Sequence, residues 1–383
     1  MTLPEILSNE ELRRHEFPVC RDKIFLAHAA VCPLPRRVAE AVANCAREAT
    51  LDDQEAGVLE TLPAHARALA AKLLHCEPAE IALVGPTSLA LSLVASGLRL
   101  RKGHNALVCF EDYPSNVYPW MAMSERGVQV RFLNTRRPGM IRAVDVLGQV
   151  DEETKVVALA SCHFVSGWRI EVDAIGKALH DRGILFCVDG IQTLGAFPTS
   201  AQHVDFLAAD AHKWLLGPCA SGLLFARNGI ADHVHPPILG WNNVRCPDFV
   251  TQEQITLHKG ARRFEAGSLN LLGVAGLAAA LELLLEIGVE AIAAELLRKR
   301  GLLIPALLAK GYTVLHAEAS ATHASGIVTV CKPGEDMPAL HQKLKTAGVV
   351  TSLRTDNKGQ RYIRLSPHFY NTDAELHRAL ELF

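Results

Sequence analysis

Residues 204–226 read VDFLAADAHKWLLGPCASGLLFA, and the reading of this stretch decides the fold. Two apolar runs, VDFLAAD and SGLLFA, flank a segment that places Lys213 behind Asp-Ala-His and ahead of a Gly-Pro break. Runs with so little polar alternation suit strands covered on both faces. A lysine at the end of such a strand loses hydration, so it must find a partner or surrender its proton. A lysine of depressed pKa is what imine chemistry with an aldehyde requires. Taken alone, the stretch also suits an ordinary surface lysine in a turn.

Working outward, further apolar runs (NALVCF, VQVRFLN, KVVALASC, ILFCVDG) alternate with helix-length amphipathic segments at 88–100, 115–126 and 172–182. Strands alternating with helices predict a mostly parallel sheet with helices on both faces, whose ligands bind at the carboxyl ends of the strands. A long helical stretch, 272–310, predicts a connector. Beyond it come short strands (YTVLHA, SGIVTVCK, VVTSLR, RYIRLS) and two helices, the pattern of a small α+β domain. The expected organisation is an N-terminal segment 1–20, a large domain 21–285 and a small domain 286–383. No internal repeat or low-complexity segment interrupts it.

The chain has 383 residues, 49% hydrophobic and 21% charged, enough apolar material for a sizeable core. Its formal net charge of −2 gives no reason to expect nucleic acid or an anionic membrane as partner. Ten scattered cysteines without a C-x-x-C pair, several inside apolar runs, read as reduced core thiols rather than a zinc site or a disulfide framework. With no apolar leader and no 18-residue apolar run, a cytosolic protein is expected.

Three motifs fall at the expected strand ends. In VGPTSLALSLVASGL (84–98), Thr87 and Ser88 stand where a run meets a helix, so their hydroxyls and free amides suit either a phosphate or a simple helix cap. In ILFCVDGIQTLG (184–195), Asp189 ends an apolar strand, where a carboxylate is costly without a partner, and Gln192 follows three residues on. Lys213 is the third. A phosphate cradle, a strand-end aspartate and a lysine, in that order, suit pyridoxal phosphate.

VDGIQTLG, DFLAADAHKWLLGP and RRFEAGSLN together resemble the class V aminotransferase family of fold type I pyridoxal-phosphate enzymes, which includes cysteine desulfurases, kynureninases and isopenicillin N epimerase-like proteins. The resemblance runs from IFLAHAAVCPLP (24–35) to IRLSPHFYNTDAEL (363–376). It implies an α/β fold with a mostly parallel, seven-stranded-type sheet and a small C-terminal domain. It makes Lys213 the Schiff-base lysine, Asp189 the partner of the pyridine nitrogen and Gln192 a contact of the ring hydroxyl. It gives the phosphate to Thr87, Ser88 and His212, and ring stacking to Tyr113. Trp241 in LGWNN and Ser268 in EAGSLN would serve the cofactor of a neighbouring subunit, which implies a homodimer with its active sites at the interface. Arg364 would clamp a substrate carboxylate, with Arg354 from the same loop and His28 beside the substrate. His163 is a further candidate cofactor contact.

One departure matters. Desulfurases carry a nucleophilic cysteine on the loop before the C-terminal arginine, and this loop, VVTSLRTDNKGQRYIRLS (349–366), has none. Sulfur transfer through a persulfide is therefore not expected. Amino transfer is the expected reaction, with β-elimination and epimerisation as alternatives of the same family. A nucleotide-binding or cofactor-free α/β protein stays as a reading of another class. Neither G-x-G-x-x-G nor a Walker-type loop is present to support it.

Overall fold

The computed structural model describes residues 1–383. Thirteen strands are β1 (Ile24–Phe25), β2 (Ile81–Ala82), β3 (Asn105–Val108), β4 (Gln129–Phe132), β5 (Thr154–Ala160), β6 (Leu185–Asp189), β7 (Phe206–Asp210), β8 (Gly222–Ala226), β9 (Thr313–Val314), β10 (Val328–Cys331), β11 (Val349–Val350), β12 (Ser352–Thr355) and β13 (Arg361–Leu365). Seven form one sheet in the order β2-β8-β7-β6-β5-β3-β4. Strands β3 to β7 run parallel, and β8 lies antiparallel to both β7 and β2. The sheet is α/β and mostly parallel, as the apolar runs imply.

The alternation of side chains explains why these strands lack polar positions. Phe186, Val188, Leu207 and Ala209 enter a core on one face, while Cys187, Phe206 and Ala208 enter a second core on the other. Both faces are covered, so each residue of β6 and β7 gains by burial, about 1.5–3 kcal/mol for a large side chain. The strand ends are then the places left for polar groups.

The 272–310 stretch is two helices, Leu271–Ile287 and Val289–Ala309, bent by 76°. Gly288 takes φ 89° at the break, a conformation that a side chain would disfavour. No single helix is long and apolar enough to cross a membrane. The first helix starts at Asn270, whose side chain accepts from the Gly273 amide at 3.1 Å, and buries most of its length.

Downstream lies an antiparallel sheet in the order β12-β13-β10-β9, backed by helices Met337–Thr346 and Asp373–Glu381 over their own apolar core. Residues near the N-terminus join it: Ile24 and Phe25 of β1 pair in parallel with Val349 and Val350 of β11. The Ser366 amide donates to the Leu26 carbonyl next to this pair, and the Cys32 amide donates to the His212 carbonyl, which brings residues 27–31 to the ends of β6 and β7.

Candidate active site

Between the two sheets lies a cavity of about 300 Å³. It is lined by Thr87, Ser88, Tyr113, Asp189, Gln192, His212, Lys213, Arg354 and Arg364, together with residues 29–31 and Phe164. Nine of the expected site residues thus meet in one space.

Asp210, at the end of β7, builds the loop that carries Lys213. Its carboxylate accepts the amides of Ala211 at 3.0 Å and Ala220 at 3.0 Å, and holds His212 Nδ1 at 2.7 Å. The loop is tight enough that Leu216 and Ala220 sit at φ 59° and 58°, a left-handed backbone that costs about 1–3 kcal/mol for each such residue. Asp210 escaped the sequence reading, although a strand-end carboxylate in AADAHK was as visible as Asp189.

Thr87 and Ser88 open helix Thr87–Gly97, and its N-cap is Pro86, without a side-chain cap bond. Neither hydroxyl is therefore a helix cap. Thr87 Oγ1 accepts the Asp210 amide at 2.8 Å, which ties the helix start to the Lys213 loop. The two segments approach so closely that a Cβ on Gly85 would lie 2.7 Å from the Ala220 backbone. The first-turn amides of Thr87 and Ser88 have no acceptor in the chain, and with the helix dipole they suit an anion.

Asp189 is 2% exposed. One carboxylate oxygen accepts the Ile191 amide at 3.1 Å, and the other has no partner in the chain. Burial raises its pKa, against the pull of nearby Lys213. Lys213 is 7% exposed, makes no hydrogen bond through Nζ and sits 5.4 Å from the Tyr113 ring centroid. Burial lowers its pKa to about 8, with Asp189 opposing and the Arg364 and Arg354 charges adding to the shift. With such a pKa about a tenth of the lysine is neutral amine at pH 7, far more than for an ordinary lysine.

Gln192 is fixed from both ends: its amide donates to the Ala29 carbonyl at 3.1 Å and its oxygen accepts Trp214 Nε1 at 2.9 Å. Tyr113 is half exposed and packs edge-on against Phe164, its ring centroid 5.2 Å away. Phe164, which sequence reasoning passed over, also receives Nη1 of Arg364 on its carbonyl. Arg364 is fully buried, its Nε has no acceptor, and burial with the neighbouring Arg354 lowers its pKa well below the ordinary value.

Two expectations are corrected. His28 does not border the cavity: it is wholly buried, with Nδ1 on the Ser366 carbonyl at 2.9 Å and Nε2 on the Tyr370 hydroxyl at 2.6 Å. Burial holds its pKa at about 3, so the ring is neutral. Ala29, Ala30 and Val31 line the cavity instead. His163 likewise lies behind Phe164, bonded to Ser166 Oγ and the Glu111 carbonyl, both at 2.9 Å. Trp241 and Ser268 are also absent from this cavity. They line a separate one, about 570 Å³, with Arg67, Lys259 and Arg262.

The residues present fit pyridoxal phosphate. There are free amides and a hydroxyl for a phosphate, an unpartnered carboxylate oxygen for a ring N–H, an aromatic face for the ring and an amine for the aldehyde.

The comparisons agree. The family described as aminotransferase class-V matches residues 24–378. A protein named probable cysteine desulfurase from Methanothermobacter thermautotrophicus is 30% identical over 293 residues, 75% of this chain and 72% of its own. An uncharacterized aminotransferase of Bacillus subtilis, YcbU, is 28% identical over 81% of this chain and 80% of its own. The solved apo cysteine desulfurase of Thermococcus onnurineus superposes with a TM-score of 0.88 at 23% identity, covering 97% of this chain and 96% of its own. A cystine C-S lyase solved with cysteine persulfide gives 0.86 at 22% identity, covering 95% and 98%. These last two likenesses bear on the fold. With nearly the whole length matched, the chain belongs to the class V aminotransferase family of fold type I, as a pyridoxal-phosphate enzyme of transferase or lyase type.

Proposed function

We propose that the protein transfers the amino group of an α-amino acid. The observation that carries this reading is the Lys213 amine, lowered to a pKa of about 8 in a cavity it shares with Asp189 and the unpaired Arg364. Pyridoxal phosphate, when bound, supplies an aldehyde for the substrate amine and a conjugated ring that spreads the charge left by the α-proton. Asp189 would hold the ring nitrogen, and the amides of Thr87 and Ser88, the Ser88 hydroxyl and His212 would hold the phosphate. Tyr113 would cover the ring and Gln192 would stand beside it.

Each step of proton movement falls to one group. Lys213 Nζ removes the α-proton and then returns a proton at a second position. Asp210 holds His212 at Nδ1 and so fixes the orientation of that ring. Arg364 holds the carboxylate, which orients the α-C–H bond for removal. A single lysine that can reach both positions suits moving a proton between two carbons.

The second reading is β-elimination at a carbon–sulfur bond, which the cysteine desulfurase name of the relatives supports. In this chain residues 356–360 make a short turn between β12 and β13 without a cysteine, so no thiol stands there to take sulfur. The test incubates nitrogen-labelled amino acids with a panel of keto acids. Label recovered in a new amino acid supports transfer. Release of ammonia and pyruvate without such recovery moves the assignment to elimination, and sulfur found as a protein persulfide rejects both.

We also infer a homodimer. Ile238, Leu239, Trp241, Phe249 and Val250 expose large apolar surface around the segment that carries Trp241, more than a solitary chain gains from showing. Ser268 and Trp241, apart from Lys213 within one chain, would then serve the neighbouring subunit. Mixing Lys213→Ala with Ser268→Asp should restore part of the activity, because one site of a mixed dimer holds neither lesion. A fully active monomer in light scattering would contradict it.

A further inference from the structure

The hairpin of β12 and β13 puts two arginines on one face. Across its ladder Ser352 faces Arg364 and Arg354 faces Tyr362, so the arginines are diagonal neighbours. Both line the Lys213 cavity. Arg364 is 1% exposed: Nη1 donates to the Phe164 carbonyl, Nη2 reaches Ser352 Oγ only at 3.4 Å, and Nε is buried with no acceptor. Arg354 makes a single hydrogen bond, from Nη1 to the Leu353 carbonyl. Neither forms an ion pair with a carboxylate of the chain, and the one acid lining the cavity is Asp189, beside Lys213.

Two guanidiniums held together without a counter-ion repel each other and lose hydration, a cost that a bound anion relieves. The α-carboxylate of an amino acid satisfies one fork. The other remains. We infer that the substrate is an α-amino acid with a second anionic group, Arg364 taking the α-carboxylate and Arg354 the far anion. This rests on the amino-acid reading above and narrows it. The far anion is either a side-chain carboxylate or the second carboxylate of a disulfide-linked diamino acid, which share the same fork-to-carboxylate chemistry.

The test titrates the holoenzyme with matched pairs and follows the cofactor absorbance. The pairs are aspartate against asparagine, glutamate against glutamine, and cystine against S-methylcysteine, and the tightest-binding pair names the source of the anion. The acidic member of at least one pair should bind about 30-fold tighter, as a charged hydrogen-bonded contact is worth. Arg354→Gln should abolish most of that preference, while Arg364→Gln should weaken both members of a pair alike. Arg354→Met, which keeps the aliphatic stem, serves if the glutamine variant does not fold. Equal binding within all three pairs, or a preference that survives loss of Arg354, overturns the inference alone. If none of the six compounds perturbs the absorbance of cofactor-loaded enzyme, the amino-acid reading falls and takes this inference with it.

Discussion

Lys299 and Lys213 are both buried, 0% and 7% exposed, yet they are in opposite condition. Lys299 Nζ donates to the Glu295 carboxylate and, at 3.1 Å, to the Phe369 carbonyl. Lys213 Nζ donates to nothing. The arginines divide the same way. Arg13 is held by Glu375 at 2.8 Å and the Tyr370 carbonyl, and Arg300 by the carbonyls of Ile327 and His316, while Arg364 keeps an idle Nε. One set stitches the N-terminal helices, the long bent helix and the C-terminal segment together. The other lines a cavity. What separates the candidate site from the scaffold is that Lys213 Nζ, one Asp189 oxygen and Arg364 Nε are left without partners around one cavity.

Removing each lysine in turn should give opposite results. Lys213→Ala should lower turnover at least about a thousandfold, about 4 kcal/mol in barrier, without loss of thermal stability. Borohydride applied to the loaded parent enzyme should fix the pyridoxyl group on Lys213, as peptide mapping would show. Lys299→Met should do the reverse, leaving Glu295 partly unpaired in the interior at a cost of about 3 kcal/mol of stability while folded molecules keep turning over. A Lys299→Met protein that melts with the parent, or a Lys213→Ala protein that still turns over, would erase the distinction.

Asp189→Asn sharpens it at the next scale. The amide keeps the shape and the Ile191 contact but not the charge for a protonated ring nitrogen. Exchange of the substrate α-proton with solvent should fall about a hundredfold, about 3 kcal/mol in barrier, with cofactor still bound. Near-parent exchange would reduce Asp189 to a turn residue.

The open condition of Lys213 also predicts a pH dependence in the apoprotein. Its folded pKa, about 8, lies below the ordinary 10.5. Below pH 8 the folded and unfolded chains both carry the proton, so the folded state bears the full cost of burying it, about 3 kcal/mol. Between pH 8 and 10.5 the folded state sheds the proton and the cost fades. Lys213→Met should therefore stabilise the apoprotein by up to about 3 kcal/mol at pH 7, with no gain above pH 10.5. Denaturant titrations at several pH values check this, and a gain independent of pH would point to packing alone.

Much of this was legible in the chain because its signals are local. The runs at β6 and β7 announce doubly covered strands, and the residues at their ends announce chemistry. β2 was not legible, since Ile81–Ala82 is too short to carry a period. Nor was the reversal of β8, which follows from the Asp210-closed loop bringing the chain straight back. The bend at Gly288 needs only one glycine inside an apolar run, which periodicity does not register. The idle Nε of Arg364 depends on Phe164, 200 residues away in the chain. What the sequence hid were partners, present or missing, across long separations.

His28 shows the limit most clearly, and it yields the smallest expected effect. Its neighbours in the chain line the cavity, and the family resemblance placed it beside the substrate with them. The fold turns its ring toward Ser366 and Tyr370, 338 and 342 residues away, against His368. It belongs to the stitched set. His28→Gln should cost about 1–3 kcal/mol of stability by leaving the Tyr370 hydroxyl short of its partner. The KM for the amino-acid substrate should stay within about twofold, below the change that losing one direct hydrogen bond brings. With its pKa held at about 3, the ring also adds no inflection to the pH profile between 5 and 9. A KM that rises tenfold in a variant of normal fold would return His28 to the substrate and move the cavity wall with it.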